Sequence, residues 1–458
     1  VVLRFLHFKV HYTNVGFLPL RDYLIQPDLT YRRWSIFYLN DNPTFVFLLL
    51  IGFLFTSVCL TVGYKTRLAG WLCLILLLGV YRRNPVLNNS GDIYLPLLML
   101  WGNFLPWGDA FSLDNPREVS SDEAYYSAFP GFCYLIQVAN LYWFTAVLRL
   151  GPEWQVDYSA LYQALHLEAL STPLAPYLLL CGTDFLAAIT WATIMLEIFG
   201  PVLLFLPSYY FRFLGVVFIV SFHLGILSTL FIPVFALACT AGPIGLLPAK
   251  FWDSRIGGPL SRFLDRIFSA LSEKVGRTTT GIPWTKLPRR LVDLSNKLYP
   301  WLTLPLVSLT VFYLWWGIHW PDDRSFLTST LKSLSLDQRW GMFSPSPVGA
   351  MGWEVARART KSGKEVNLIT GLRYSENAEE LANAKSLVDY RWRSFRVSIA
   401  AEKYAYTGTY LKYLAQQWDL RHPDDPVVSA QYIYLPETYP KHYLLGEQLR
   451  EVMSEYHK

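Results

Sequence analysis

The chain has 458 residues, of which 52% are hydrophobic, 16% are aromatic and 16% are charged, and its formal net charge is +5. Soluble domains carry roughly 25% charged residues, so this balance predicts a membrane protein. The length allows two or three domains. The mild positive charge comes without any nucleic-acid-binding motif, so we expect no nucleic-acid partner.

Uncharged runs in the first 320 residues predict helices that span a membrane. The first complete run, Thr44–Tyr64, is long enough because about 20 residues of helix cover a hydrocarbon core of ~30 Å. The chain starts inside a helical pattern, so we expect part of a first span to precede Val1. About eight or nine spans are predicted in all. The further ones are Thr66–Arg83, Ile93–Gly108, Gly131–Leu148, Phe185–Phe211, two within Phe213–Ala249 divided near Ile232-Pro233, and Leu298–Trp320. A shorter helix over Asp157–Leu170 is predicted to lie on the membrane or to dip into it.

The orientation follows from the distribution of basic residues. Residues 250–297 hold ten lysines and arginines against four acidic residues, which predicts a cytoplasmic loop. Counting spans from there places residues 321–458 on the extracytoplasmic side. The predicted fold class is therefore an all-α polytopic membrane helical bundle over residues 1–320, followed by an extracytoplasmic α+β domain over residues 321–458. Its predicted elements are strands Trp353–Thr360, Glu365–Leu372 and Val427–Leu435 and helices Asn377–Asp389 and Gly408–Trp418.

The stretch from Arg82 to Asp114 places polar groups between apolar runs. Asn88 to Asp92 has turn-forming chemistry, so we predict a helix end, a polar turn and a helix that re-enters the membrane. Two explanations stay open for the arginines. They pair with Asp92 or with lipid phosphates at an interface, or they line a wet cavity that binds a ligand. The candidate ligand-binding residues of this stretch are Arg82, Arg83, Asn84, Asn88 and Asp92.

Three ionisable residues, Arg149, Glu197 and His223, lie inside or at the end of apolar runs, where such groups are functional candidates. Glu197 is predicted to face the bundle interior, paired with Arg149 or hydrogen-bonded. His223 is predicted to exchange a proton, to donate to a carbonyl or to hold a ligand head group. For each residue, a satisfied structural contact is the competing explanation. Gly200 and Gly225 are predicted to allow close helix approach.

The five cysteines lie far apart in apolar runs, with neither a CxxC motif nor a Cys/His ligand spacing, so no metal site is predicted.

Several of these motifs, in their order, resemble the signature of the HTTM (horizontally transferred transmembrane) family, membrane proteins similar to vitamin K-dependent gamma-carboxylases. The motifs are Arg83-Asn84-Pro85, Asn88 to Asp92, Phe104 to Gly108 and Ser112-Leu113-Asp114, and Trp340 to Pro347 resembles a second signature. The resemblance implies a quinone or quinol cofactor and an exported peptide or protein as substrate. His223 matches a histidine common to the family.

Two departures from the carboxylase pattern argue against glutamate gamma-carboxylation. The resemblance places the catalytic lysine shortly before the pair Glu153-Trp154, where this chain has Arg149, and a guanidinium stays protonated at physiological pH. Ser90 stands where the carboxylases have a histidine. Two hypotheses follow. In the first, a quinol-using membrane enzyme modifies an exported polypeptide. In the second, a non-catalytic protein binds membrane lipid or a partner protein in the same cavity, where Arg149 and Trp154 contact the ligand.

Overall fold

The computed structural model consists of a helical bundle and a small antiparallel sheet. It describes residues 2–5, 7–25, 34–114, 128–167, 170–275, 297–298, 301, 338, 340–347, 352–374, 392, 394–395, 406–436 and 451–457. The predicted helix Asn377–Asp389 and most of the predicted span Leu298–Trp320 lie outside these residues.

Within the described residues, the bundle is formed by seven apolar helices of 12 to 23 residues. Its main helices are α4 (Pro43–Val62), α5 (Thr66–Arg83), α6 (Ser90–Gly102), α7 (Ala128–Leu148), α11 (Thr183–Phe205), α12 (Tyr209–Thr229) and α13 (Pro233–Ile244). Among the described helices, four are long and apolar enough to cross a membrane, namely α4, α7, α11 and α12. The predicted division of the long apolar run near Ile232-Pro233 is confirmed, because α12 ends at Thr229 and α13 begins at Pro233.

Short helices precede the bundle or cover its ends. Before α4 come α1 (Val2–Phe5), α2 (Phe8–Tyr12) and α3 (Leu20–Leu24), and after α7 come α8 (Pro152–Gln155), α9 (Ala160–His166) and α10 (Ala175–Leu179). After α13 come α14 (Ala249–Trp252) and α15 (Gly257–Val275). The predicted helix over Asp157–Leu170 is thus present in a shorter form, as α9.

Local cap chemistry fixes both ends of α4 and the start of α5. The Asn42 side chain accepts a hydrogen bond from the Thr44 amide, 2.9 Å away, at the start of α4. Gly63 ends that helix in the left-handed conformation (φ 69°), which glycine adopts without a steric penalty. Asp114 returns to the start of α5 and accepts from the Thr66 amide and hydroxyl, each at 2.7 Å. The family-like motif that ends in Asp114 therefore has a structural role.

The predicted polar turn between two helices is confirmed. After α5 ends at Arg83, a short 3-10 turn leads to the capping residue Asn89. Asn89 accepts from the Gly91 amide while Asp92 accepts from the Asn89 amide at 3.0 Å, which forms a reciprocal capping box. The predicted span Ile93–Gly108 is corrected, because α6 starts earlier and ends at Gly102, where the missing side chain leaves room for the Trp107 ring.

The two ends of the bundle differ in what covers them. The end that holds Gly63, Lys65 and Asp114, here called the Asp114 end, also holds α14, whose Trp252 ring lies 5.9 Å from the ring of Phe111.

After α14, helix α15 exposes a row of apolar side chains at helical spacing, namely Leu260, Phe263, Ile267 and Leu271. An apolar stripe on a helix that also carries basic residues is typical of a helix lying in a membrane interface.

The C-terminal part is a four-stranded antiparallel sheet packed against a helix. The strands are β1 (Gly352–Thr360), β2 (Glu365–Asn367), β3 (Val427–Pro436) and β4 (Glu451–His457), in the order β2-β1-β3-β4, and the helix is α16 (Thr407–Arg421). The predicted hairpin, second helix and third strand are confirmed, although β2 is shorter than predicted. The sequence analysis missed β4.

The sheet domain packs on the bundle at the end opposite to the Asp114 end, here called the Arg83 end. The Phe17 ring, before α3, lies 5.6 Å from the Trp392 ring, 4.9 Å from Phe395 and 5.7 Å from Tyr410 of α16. The Asn89 side-chain amide reaches the hydroxyl of Ser394 at 3.4 Å. One aromatic cluster therefore belongs to both parts of the protein.

The closest approach between two bundle helices lies at a glycine that the sequence analysis did not single out. A Cβ added at Gly91 of α6 would lie 2.4 Å from the backbone nitrogen of Phe235 in α13. The expectation for Gly225 is not met within the described part of the chain, where no atom lies within 4 Å of a Cβ built there. Gly200 takes part in a close approach as a backbone neighbour, since its carbonyl oxygen is 3.2 Å from a Cβ built at Gly215.

The substitution Gly91→Ala is expected to lower the free energy of unfolding by about 1–3 kcal/mol, because the new methyl group must displace the backbone of α13. The matched control is Gly52→Ala in α4, where an added Cβ meets no described atom within 4 Å. The expected change there is below about 1 kcal/mol. Thermal unfolding in detergent measures both. Equal stabilities of the two variants would contradict the contact between α6 and α13.

Candidate functional site

The first group of polar residues is held by Arg4 of α1. Its guanidinium donates to Asp92 Oδ1 at 2.9 Å, to Asn88 Oδ1 at 3.3 Å and to the Tyr12 hydroxyl, and its Cζ lies 4.7 Å from the centre of the Tyr81 ring. Arg4 and Asp92 are both almost fully buried. Asp92 therefore pairs with an arginine near the start of the chain, a partner that the sequence analysis did not consider.

The two arginines that end α5 have different surroundings. The guanidinium of Arg82 lies 3.9 Å from the centre of the Trp34 ring and also donates to the Trp34 carbonyl. Arg83 is fully buried, donates to the Leu18 carbonyl at 3.0 Å and lies 3.9 Å from an oxygen of Asp41. Within the described part of the chain, Nε and Nη1 of Arg83 have no hydrogen-bond acceptor.

Neighbouring polar groups fix the backbone around these arginines. Asn84 donates from its side-chain amide to the His11 carbonyl at 2.7 Å. Burial is the main cause that raises the pKa of Tyr38 above its usual value, and the neighbouring phenol of Tyr23 raises it further. The phenol of Tyr38 therefore stays neutral and donates to the Arg82 carbonyl at 2.9 Å.

The second group centres on an ion pair between the end of α7 and the middle of α11. Arg149 donates from Nε to Glu197 Oε2 and from Nη2 to Glu197 Oε1, both at 2.6 Å, and both side chains are almost fully buried. The pairing of these two residues, which the sequence analysis left open, is thus present in bidentate form. Two parallel charge-assisted bonds fix the orientation as well as the distance of such a pair.

Trp154 covers the face of this ion pair. Its ring centre lies 3.6 Å from Cζ of Arg149, and its indole nitrogen donates to the Phe343 carbonyl at 2.9 Å. The second family-like motif also contacts this region, because the Pro345 carbonyl accepts from the Gly151 amide at 3.1 Å. Trp154 therefore joins the ion pair to the segment that follows the bundle, and its indole N–H is already engaged.

His223 of α12 forms a separate contact with Tyr142 of α7. The Tyr142 hydroxyl lies 2.9 Å from His223 Nε2, and the imidazole is enclosed by the rings of Phe222 and Phe235 at 5.1 and 5.6 Å. Among the described residues, Nδ1 of His223 has no partner. When the phenol donates to Nε2, a neutral imidazole carries its proton on Nδ1 and offers one N–H donor.

The candidate residues thus form three sets of contacts, one around Arg4 and Asp92, one between Arg149 and Glu197, and one between His223 and Tyr142. Phe235 lies between the first and the third set, since its backbone packs on Gly91 and its ring packs on His223. The single cavity shared by all these residues stays a prediction. Among the described residues, no group of three or more His, Cys, Asp and Glu side chains is placed to hold a metal ion.

Two residues of these groups were missed in the sequence. Arg4 lies in an apolar run at the start of the sequence. A charged residue in such a run indicates a buried partner or a functional site, so Arg4 could have been identified from the sequence. Tyr142 gave no such signal, because tyrosine is abundant in this chain and a phenol in a helix is usually a packing residue.

Compared with known proteins, the chain matches no family model, no curated protein and no solved structure.

The substitution Glu197→Gln is expected to lower the free energy of unfolding by about 3–5 kcal/mol, because it leaves the buried guanidinium of Arg149 without its counter-charge. The matched control is Glu365→Gln, which breaks the ion pair between Glu365 and Arg357. The N–O distance of this pair is similar, 2.7 Å, but the Glu365 side chain is 44% exposed and that of Arg357 is 35% exposed. There we expect a loss of roughly 0–1 kcal/mol. Thermal unfolding in detergent compares the two variants. Equal losses would contradict the burial of the Arg149 pair.

Proposed function

We propose that this chain is a multi-pass membrane protein of the HTTM type that binds an exported peptide or protein without modifying it. Its sheet domain lies on the extracytoplasmic side in this proposal, and its bundle serves as a rigid membrane anchor. The class of partner follows from the resemblance to the gamma-carboxylases, whose substrates are exported polypeptides.

The bidentate pair of Arg149 and Glu197 is the observation that carries this proposal. Arg149 stands at the position where the resemblance places the catalytic lysine. Its guanidinium cannot act as a base at physiological pH, and two of its nitrogens are engaged by a buried carboxylate. This arrangement supports a structural role for the residue that chemistry of the carboxylase type would need most.

The proposed topology is supported by the opposite positions of the basic segment and the sheet domain. Ten basic residues between positions 250 and 297 favour the cytoplasm, and the start of this segment lies at the Asp114 end. The sheet domain packs on the Arg83 end. With the basic segment in the cytoplasm, the proposal places the sheet domain on the other face of the membrane.

The second candidate function is a quinol-using membrane enzyme, and the contact between His223 and Tyr142 favours it. The Nδ1 atom of His223 is buried among aromatic rings and has no described partner. Its N–H group would donate a hydrogen bond to the carbonyl oxygen of a quinone. A bound quinol would supply the reducing equivalents. His223 and Tyr142 would orient its ring and hold the exchangeable proton between them.

A photo-crosslinking amino acid in the cell-expressed full chain tests the first proposal. Placed at Val428, which is exposed on the sheet domain, it should capture an exported polypeptide. The same amino acid at Tyr210, exposed at the start of α12, should not. The captured polypeptide should have the same mass as in cells that lack the protein, and its capture should survive His223→Gln.

Two results would contradict the proposal in favour of the enzyme. One is a mass change in the polypeptide that appears with the wild-type chain and disappears with His223→Gln. The other is a quinone in the lipid extract of the purified wild-type protein that is absent from the extract of the same variant.

A further inference from the structure

Helix α15 leaves the bundle from α14, the short helix at the Asp114 end. The Phe251 ring of α14 stacks on the ring of Phe213, near the start of α12, with 5.7 Å between the ring centres. In a membrane, the first residues of α12 lie near one surface, because this helix is long and apolar enough to cross. Aromatic side chains are enriched at that depth. The helix α15 therefore begins close to the boundary between lipid and water.

The turn between α14 and α15 is fixed by its own hydrogen bonds. The Ser254 hydroxyl accepts from the Gly257 amide at 3.1 Å, and the Ser254 carbonyl accepts from the Gly258 amide at 2.8 Å. A Cβ built at Gly257 would collide with the carbonyl oxygen of Phe251, so the chain passes closely here. The direction in which α15 leaves α14 is therefore set by the turn.

One face of α15 exposes a row of large apolar side chains. Ile256, just before the helix, is 74% exposed, and Phe263 is 57% exposed. The other exposed members of the row are Leu260, Ile267 and Leu271. Residues at intervals of three or four lie on one side of a helix. Single apolar side chains are common on a protein surface, whereas a contiguous row marks a surface that an apolar medium or a partner covers.

The opposite face of the helix is polar and carries exposed basic side chains. Arg262 and Arg266 lie one turn apart on this face, together with Ser269, and Arg255 is exposed just before the helix. Residues 250–275 hold five basic residues against three acidic ones. Charges act through water over a Debye length of about 8 Å, close to the ~10 Å diameter of a helix. Arginines on the polar face therefore attract anionic groups beside the helix.

A lipid surface fits these features better than a partner protein. The bilayer already lies beside the start of the helix, and it supplies both an apolar layer and negatively charged head groups. The helix has 19 residues, roughly 28 Å in length, and it is not among the described helices that could cross a membrane. An apolar row opposite a basic polar face is typical of a helix that lies in the membrane surface.

We propose that α15 lies flat in the membrane surface at the Asp114 end and binds anionic phospholipids there. The apolar row enters the lipid between the head groups, and Arg262 and Arg266 attract anionic head groups to the sides of the helix. This binding does not depend on which side of the membrane the Asp114 end faces. It is also independent of the function proposed for the whole chain.

Quenching by brominated lipid tests where the helix lies. The full chain carries an environment-sensitive fluorescent amino acid at Ile267, in the apolar row, or at Ser269, on the opposite face. It is reconstituted into nanodiscs of phosphatidylcholine and phosphatidylglycerol, in which the phosphatidylcholine carries bromine on its acyl chains near the head group. Bromine quenches only a fluorophore that it contacts. The fluorescence at Ile267 should therefore be quenched at least two-fold more strongly than that at Ser269.

Matched variants test whether the bound lipid is anionic. Nanodiscs without phosphatidylglycerol should lower the quenching at Ile267 at least two-fold, because neutral head groups attract the arginines less. The double variant Arg262→Gln and Arg266→Gln should lower it equally in nanodiscs that contain phosphatidylglycerol. The control is Arg359→Gln and Arg421→Gln, which removes two exposed arginines from the sheet domain and should leave the quenching unchanged. The thermal unfolding midpoint of each variant verifies that the protein is folded.

Three results would overturn the proposal. Equal quenching at Ile267 and Ser269 would mean that the apolar row does not enter the lipid. Blue-shifted fluorescence at Ile267 without quenching would mean that protein covers the row. Quenching at Ile267 that changes neither on removal of phosphatidylglycerol nor in the folded double variant of Arg262 and Arg266 would mean that α15 lies in lipid without binding anionic head groups.

Discussion

Two ion pairs, each buried in the apolar helical bundle and closed by hydrogen bonds, organise the protein. Arg149 and Glu197 join α7 to α11, and Arg4 and Asp92 join the N-terminal helix α1 to α6. Burial raises the cost of separating such charges, so each pair fixes how its two helices lie relative to one another. The bundle is thus held by a few directional contacts within apolar packing that is non-directional.

The parts of the fold that depend on neighbouring residues could be predicted from the sequence. The polar turn before α6 was predicted because Asn, Ser, Gly and Asp in succession leave the backbone few alternatives, and the capping box at Asn89 shows why. The break between α12 and α13 was predicted in the same way from Ile232-Pro233. Strands β1, β2 and β3 were predicted from their strand-like residue pattern and from the turn at Gly363. The sequence of β4 gave no comparable signal.

Contacts between distant residues could not be read from the pattern. Asp92 had several arginines available, and only the packing of α1 against the bundle selects Arg4, 88 positions earlier. The glycines at which two helices approach closely could not be predicted for a similar reason. Only the packed structure shows where the backbone of another helix comes near a glycine. That condition holds at Gly91 and not at Gly225. His223 was found as an intramembrane ionisable residue, but its partner Tyr142 depends on how α7 and α12 face each other.

The aromatic cluster around Phe17 has a consequence for the order of assembly. Its other members, Trp392, Phe395 and Tyr410, are synthesised almost 400 residues later. The apolar surface around Phe17, at the Arg83 end of the bundle, therefore stays uncovered by the sheet domain during most of translation. A premature stop between Ile244 and Trp392 leaves this surface permanently uncovered, even though all the described apolar helices of the bundle have already been made.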